Sequence, residues 1–151
     1  MIQHQNQPTH AYVMASWIVL IVGAVGFLSG LWNGDLSTEE RGFYFTVLAF
    51  GLFAAVSLQK SVRDRIEGIP VSDIYYGISW AGLILAVALL AFGLFNADNI
   101  SSSEKGFFVM AYVLCMFAAI TVQKNTRDQL RDAGGKQEPT HSSASHSSFI
   151  E

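Results

Sequence analysis

Charged and amide side chains recur in two matching sets near the ends of the second and fourth apolar runs. Each set has the pattern Gln-Lys-x-x-Arg-Asp, at residues 59–64 and 123–128. Cations at the C-terminal end of a helix complement its dipole and attract anionic lipid headgroups. The pattern therefore favours membrane anchoring, with a binding surface for a cytoplasmic protein as the alternative. The candidate residues are Gln59, Lys60, Arg63, Asp64, Gln123, Lys124, Arg127 and Asp128.

A second matching set of charges lies in two short polar segments, as Glu40-Arg41 and Glu104-Lys105. A functional interpretation is a ligand or ion site shared by two equivalent loops. The alternative, which we favour, is helix capping together with interfacial charge. Adjacent positions on a helix do not face each other, so Arg41 and Lys105 would have to form any salt bridge with another element.

The residues before these glutamates support the capping interpretation. The segments 37–40 and 101–104 both fit the capping box, in which a serine and a glutamate satisfy backbone amides at the start of a helix. The second and fourth helices are therefore predicted to begin near Thr38 and Ser102.

Residue types typical of catalysis are sparse. Cys115 is the single cysteine, which excludes an intramolecular disulfide or a cysteine-built zinc site. Asp35 and Asp98 match each other in the two halves, but a lone loop aspartate is typical of a turn. The apolar runs contain no nucleophile–base pair, metal-ligand cluster or phosphate-binding loop. The sequence therefore predicts neither enzyme activity nor a cofactor or metal. The histidines lie in polar tails without a metal-binding spacing, at His4, His10, His141 and His146.

Charge is missing from long parts of the chain. Only 14% of the residues are charged, against about 25% in soluble domains. A membrane core about 30 Å thick needs about 20 helical residues. A soluble bundle would need polar helix faces, which these segments lack. We therefore predict an all-α membrane protein with four transmembrane helices. The uncharged runs are residues 11–32, 43–58, 74–95 and 107–122.

The second and fourth runs are short for a span, so their flanking residues must contribute to crossing the membrane. A cleaved signal peptide has Lys or Arg before its apolar segment. No Lys or Arg precedes the first run, which is therefore interpreted as a retained helix.

The chain contains two copies of one helical hairpin. Between residues 40–64 and 104–128, ten of 25 positions are identical, including charged ones. We expect two tandem hairpins in parallel topology, related by a pseudo-twofold axis along the membrane normal. The predicted divisions are an N-terminal tail, two modules and a disordered C-terminal tail, at residues 1–10, 11–66, 67–132 and 133–151.

The basic residues predict the orientation. Four spans place both termini and the middle loop on one side, with seven Lys or Arg residues against two on the other. The positive-inside rule then places both termini in the cytoplasm. The seven are Lys60, Arg63, Arg65, Lys124, Arg127, Arg131 and Lys136, and the two are Arg41 and Lys105.

Small residues at four-residue spacing suggest close helix packing. They let helix backbones approach where lipid supplies no hydrophobic driving force. Packing within the bundle is the first interpretation, and homodimerisation is the alternative. The pairs are Gly26 with Gly30, Gly51 with Ala55, and Cys115 with Ala119.

Three sequence elements resemble the YiaA/YiaB family of small bacterial inner-membrane proteins. They are Leu-Trp-Asn at 31–33, Glu-Arg-Gly-Phe-Tyr at 40–44 and Gln-Lys-x-x-Arg-Asp at 59–64, with second copies in the same order at 94–96, 104–108 and 123–128. The first copy departs from the family pattern at Arg41, and the second at Phe95 and Phe108. The resemblance covers roughly residues 11–132, and the two-copy layout is most similar to one of the two members that name the family. It implies a multi-pass inner-membrane location and no particular activity.

These observations predict a non-enzymatic membrane scaffold or envelope-associated factor. Its partners would be the lipid bilayer and either a cytoplasmic protein or further copies of itself. The alternative is a small transporter or channel without a charged residue inside the membrane. The net charge of −3 excludes a polybasic nucleic-acid binder.

Overall fold

The structure, a computed structural model, describes residues 8–135, with side chains as far as residue 130. This part of the chain forms four α-helices, α1 (His10–Asn33), α2 (Thr38–Ile66), α3 (Asp73–Asn96) and α4 (Ser102–Gly135). Each of these described helices is long and apolar enough to cross a membrane. The predicted fold class is thereby confirmed. His4, His141, His146 and most of the two predicted tails lie outside the described residues.

The capping boxes start α2 and α4 at the predicted positions. The Ser37 hydroxyl accepts a hydrogen bond from the Glu40 amide (3.2 Å), and the Glu40 carboxylate accepts one from the Ser37 amide (2.7 Å). Ser101 and Glu104 repeat this arrangement at 3.3 and 2.7 Å. The caps start both helices before their apolar runs, so α2 reaches 29 residues and the shortness of its run is compensated.

Gly68 ends α2. Its φ angle of 73° lies in the left-handed region, which glycine adopts without strain from a side chain. The Ile69 amide then donates to the Asp64 carbonyl at 2.9 Å. This turn directs the chain into the short loop that leads to α3.

The two copies interlock. The most extensive contacts join α1 to α4 and α2 to α3, whereas the two helices of one copy touch each other far less. Ser16 meets Asn125 and Gly23 meets Cys115, so α1 and α4 are antiparallel. Ser61 meets Ser79 and Tyr44 meets Gly93, so α2 and α3 are antiparallel as well. Tyr44 stacks on Phe108 and Arg63 pairs with Asp128, so α2 and α4 lie side by side and parallel at the centre. Each helix therefore has its main partner in the other copy.

The packed core contains an aromatic cluster where α2 meets α4. Tyr44 and Phe108 are equivalent residues of the two copies, and their rings stack with centroids 5.7 Å apart and planes at 14°. Phe27 of α1 contacts Phe108 edge-on at 5.3 Å. Many other large apolar side chains lie outward, such as Trp32 (81% exposed) and Phe95 (85% exposed), as expected for surfaces that face lipid.

Candidate functional site: the basic face

Two reciprocal ion pairs join α2 to α4. Arg63 donates to Asp128 at 3.1 Å, and Arg127 donates to Asp64 at 3.2 Å. Arg127 and Asp128 are the counterparts of Arg63 and Asp64, 64 residues later in the chain. In each ion pair, the arginine of one copy therefore binds the aspartate of the other copy. The duplicated Arg-Asp element therefore binds its own second copy. We call this end of the bundle the basic face, defined by residues 59–67 and 123–130.

Further contacts extend this network along α2. Glu67 accepts from Arg63 at 2.7 Å and from Arg127 at 3.4 Å, so one carboxylate links the arginines of both copies. Lys60 donates to Asp64 at 2.9 Å. The Asp64 side chain is only 8% exposed and accepts from cations of both α2 and α4. The charges of the basic face thus largely neutralise one another.

The loop after α2 is held by a separate arginine. Arg65 forms an ion pair with Asp73 in the first turn of α3, and its guanidinium lies 4.1 Å from the centre of the Tyr76 ring. A cation over an aromatic face is an attractive arrangement. These contacts attach the start of α3 to the end of α2.

A layer of buried polar side chains lies just inside the ion pairs. The Asn125 amide donates to the Ser16 hydroxyl at 3.1 Å, and the Ser61 and Ser79 hydroxyls lie 3.3 Å apart. The two contacts are counterparts, one between α1 and α4 and the other between α2 and α3. Inter-helix hydrogen bonds of this type hold membrane helices together.

At the opposite end, the predicted loop site is occupied by caps. Glu40 and Glu104 accept from the serine amides at their own helix starts. Arg41 donates to the Gly34 carbonyl at 3.4 Å, and its Nε atom is buried without a hydrogen-bond partner. Lys105 lies next to the second cap and is half-buried. Among the described side chains, these four residues form no ion pair with one another.

The small residues lie at helix interfaces within the chain. A Cβ atom added at Gly30 would lie 3.1 Å from Phe108, and one at Gly26 would lie 3.6 Å from Phe107. Gly51 faces the Tyr112 hydroxyl. The remaining members, Ala55, Cys115 and Ala119, are buried.

Sequence reasoning missed several residues of these interfaces. Gly23 lies against Cys115, and Gly93 lies against Tyr44, as its counterpart Gly30 lies against Phe108. The same repeat would have indicated Gly93, because it occupies the position of Gly30 in the second copy. Ser61 and Asn125 differ in type, so comparison of the copies could not have revealed that both bridge helices.

Metal-ligating residues do not cluster in the described part of the chain, where no group of three or more His, Cys, Asp or Glu side chains could hold an ion.

The long apolar helices and the interlocked copies define a multi-pass membrane protein built from a duplicated two-helix unit. The chain belongs to the yiaA/B two-helix domain family, whose pattern matches residues 12–64 and again 75–128. The resemblance of the three sequence elements is thereby confirmed, and the two matches coincide with the two copies.

Two relatives extend this result. The chain is 50% identical over 118 residues to the inner membrane protein YiaA of Escherichia coli (strain K12), covering 78% of this chain and 81% of that protein. It is 44% identical over 46 residues to the uncharacterized membrane protein YubF of Bacillus subtilis (strain 168), covering 30% and 53%. No solved structure matches the chain.

Proposed function

We propose that this protein is a non-enzymatic scaffold of a bacterial inner membrane that binds a cytoplasmic protein through its basic face. The location is supported by its similarity to an inner membrane protein of Escherichia coli. The orientation is supported by the seven Lys or Arg residues on the side of the termini, against two on the other.

The reciprocal pairs Arg63–Asp128 and Arg127–Asp64 carry the proposal. They hold the ends of α2 and α4 parallel, beyond the uncharged runs, where a soluble protein could contact them. The helix α4 continues to Gly135, while its counterpart α2 ends at Ile66, which corresponds to Leu130. The five extra residues project by about 8 Å at about 1.5 Å per residue. The result is an asymmetric surface in which ion pairs join the ends of the two helices.

Partner capture from native membranes tests the proposal. The full chain is compared with Arg63→Ala/Arg127→Ala, and Arg41→Ala/Lys105→Ala is the matched control at the opposite face. We expect a specific set of proteins to be lost from the first variant and retained by the second. Recovery of the same proteins with all three forms, or their equal loss from both variants, would reject the proposal.

A charge exchange separates binding from folding. Arg63→Asp/Asp128→Arg preserves an ion pair between α2 and α4 but reverses the two positions. Because aspartate at position 63 also loses the pair with Glu67, thermal unfolding in detergent is measured to show that the variant is folded. If a partner binds the basic face, the folded variant should still lose that partner. Retention of the partner would mean that the ion pairs act only within the bundle.

A second candidate function is transport. Ser16, Ser61 and Ser79 are buried among apolar helices, and they could line a path without a charged residue. Reconstitution in liposomes loaded with ions or small solutes tests this candidate, and the absence of movement above that of protein-free liposomes would reject it.

A further inference from the structure

A groove between α2, α3 and α4 opens beside the basic face. It has a volume of about 540 Å³, and apolar side chains form most of its wall. Among them are Leu58, Ile66, Leu83 and Ile120, with the Trp80 ring alongside. The exposure of Ile66 (82%) and Trp80 (44%) shows that the groove opens to the outside of the bundle.

The groove continues into the apolar part of the bundle. A second groove of about 350 Å³ shares Ala55, Leu83 and Ile120 with the first and extends as far as Val109. Lys124 and Val109 are 15 residues apart on α4, or about 22 Å at about 1.5 Å per residue. One leaflet contributes about half of a hydrocarbon core of about 30 Å. The combined groove is therefore long enough for an acyl chain.

The polar end of the groove carries an uncompensated cation. It is lined by Gln59, Arg63 and Lys124. Arg63 is already paired with Glu67 and Asp128. Lys124 is exposed, and among the side chains that the structure describes it has no carboxylate within salt-bridge distance.

The equivalent lysine of the other copy is paired, so the repeat alone does not account for the unpaired Lys124. Lys60 occupies the equivalent position in α2 and is followed four residues later by the same aspartate. There the ion pair forms, with Lys60 and Asp64 at 2.9 Å. In α4, Asp128 pairs with Arg63 but not with Lys124, although Asp64 pairs with both Arg127 and Lys60, and Lys124 lies at the mouth of the groove.

We infer that this groove binds one anionic phospholipid, with an acyl chain along α2, α3 and α4 and the phosphate at Lys124 and Gln59. Basic pockets between membrane helices at headgroup level suit this ligand. The Trp80 ring, with an apolar body and an indole N–H, suits the boundary between chain and headgroup. The site requires only that the basic face lie at a membrane surface, so it does not depend on the proposed scaffold role or on the orientation.

Native mass spectrometry of the full chain from detergent tests the site, with phosphatidylglycerol and phosphatidylcholine of identical acyl chains as probes. We expect one tightly retained phosphatidylglycerol per chain and weaker retention of phosphatidylcholine. Lys124→Gln should weaken phosphatidylglycerol binding by about fivefold, the effect of one cation near the membrane surface. Lys60→Gln is the matched control and should leave binding unchanged.

Filling the groove provides an independent test that leaves every charge in place. Leu83→Trp should reduce retention of both lipids, whereas Ile84→Trp, at a neighbouring exposed position outside the groove, should not. Equal loss with Lys60→Gln and Lys124→Gln, or no preference for phosphatidylglycerol, would overturn the inference. So would displacement of the lipid by an equal concentration of inorganic phosphate, because the groove would then contribute nothing.

Discussion

At the scale of single residues, the closest approach to any of the described glycines joins Gly51 of α2 to Tyr112 of α4. A Cβ atom on Gly51 would collide with the Tyr112 hydroxyl. That hydroxyl is buried and has no hydrogen-bond partner. A buried polar group without a partner is unfavourable, whereas the ring itself packs well. Glycine at this position therefore accommodates a tyrosine whose hydroxyl contributes no stabilising hydrogen bond.

Gly51→Ala should lower the free energy of unfolding by about 1–3 kcal/mol, the usual cost of overpacking a core. Tyr112→Phe should be neutral or stabilising, and the double variant should recover much of the loss. Thermal unfolding in detergent measures all three. Gly106→Ala is the control, because a Cβ there meets nothing within 4 Å and alanine favours a helix by up to about 1 kcal/mol. A fully stable Gly51→Ala variant would contradict the prediction.

At the scale of helices, the arrangement depends on exchange between the copies. The helix α1 packs against α4, and α2 packs against α3, so each hairpin alone exposes interfaces that its own second helix does not cover. These interfaces include the buried contacts of Ser16 with Asn125 and of Gly30 with Phe108. The two hairpins are therefore sequence repeats without being independent packing units.

A chain divided in the loop after Gly68 tests this arrangement. Neither half should persist as a monomer when expressed alone, and co-expression of both should restore a 1:1 complex in the membrane. Gly30→Leu in the first half should prevent assembly, because its side chain would meet Phe107 and Phe108. Size-exclusion chromatography in detergent measures the result. A folded monomeric half would show that each hairpin is self-sufficient.

At the scale of the whole molecule, α2 and α4 form a parallel centre with charged networks at one end and capped starts at the other. The basic face combines the proposed protein-binding surface with the lipid groove. Both uses require this end to lie at a membrane surface, and the scaffold role also requires that surface to be cytoplasmic.

Reporter fusions test that orientation. Alkaline phosphatase fused in the loop at 67–72 or after Gly135 should be inactive, and green fluorescent protein at the same points should fluoresce. The opposite pattern is expected for fusions at 97–101. The reason is the excess of Lys and Arg on the side of the termini. Phosphatase activity from the 67–72 fusion would contradict both the orientation and the cytoplasmic scaffold.

The sequence by itself determined the helices, their starts, the duplication and the family. Spans are readable because lipid requires long uncharged helices that satisfy their own backbone hydrogen bonds, and caps are readable because they depend on residues four positions apart or fewer. For the candidate site, the sequence showed the two Arg-Asp elements, but it did not show that the arginine of each pairs with the aspartate of the other.

Only the tertiary structure decided which helices pair and what each charge contacts. Lipid provides no hydrophobic preference between apolar helices, so partner choice rests on shape and on a few polar contacts between distant residues. Lys60 and Lys124 illustrate this point. Their local sequences match, yet one is paired with aspartate and the other lies at the mouth of a groove. The groove beside Lys124 is formed together with α2 and α3, and a local pattern does not contain it.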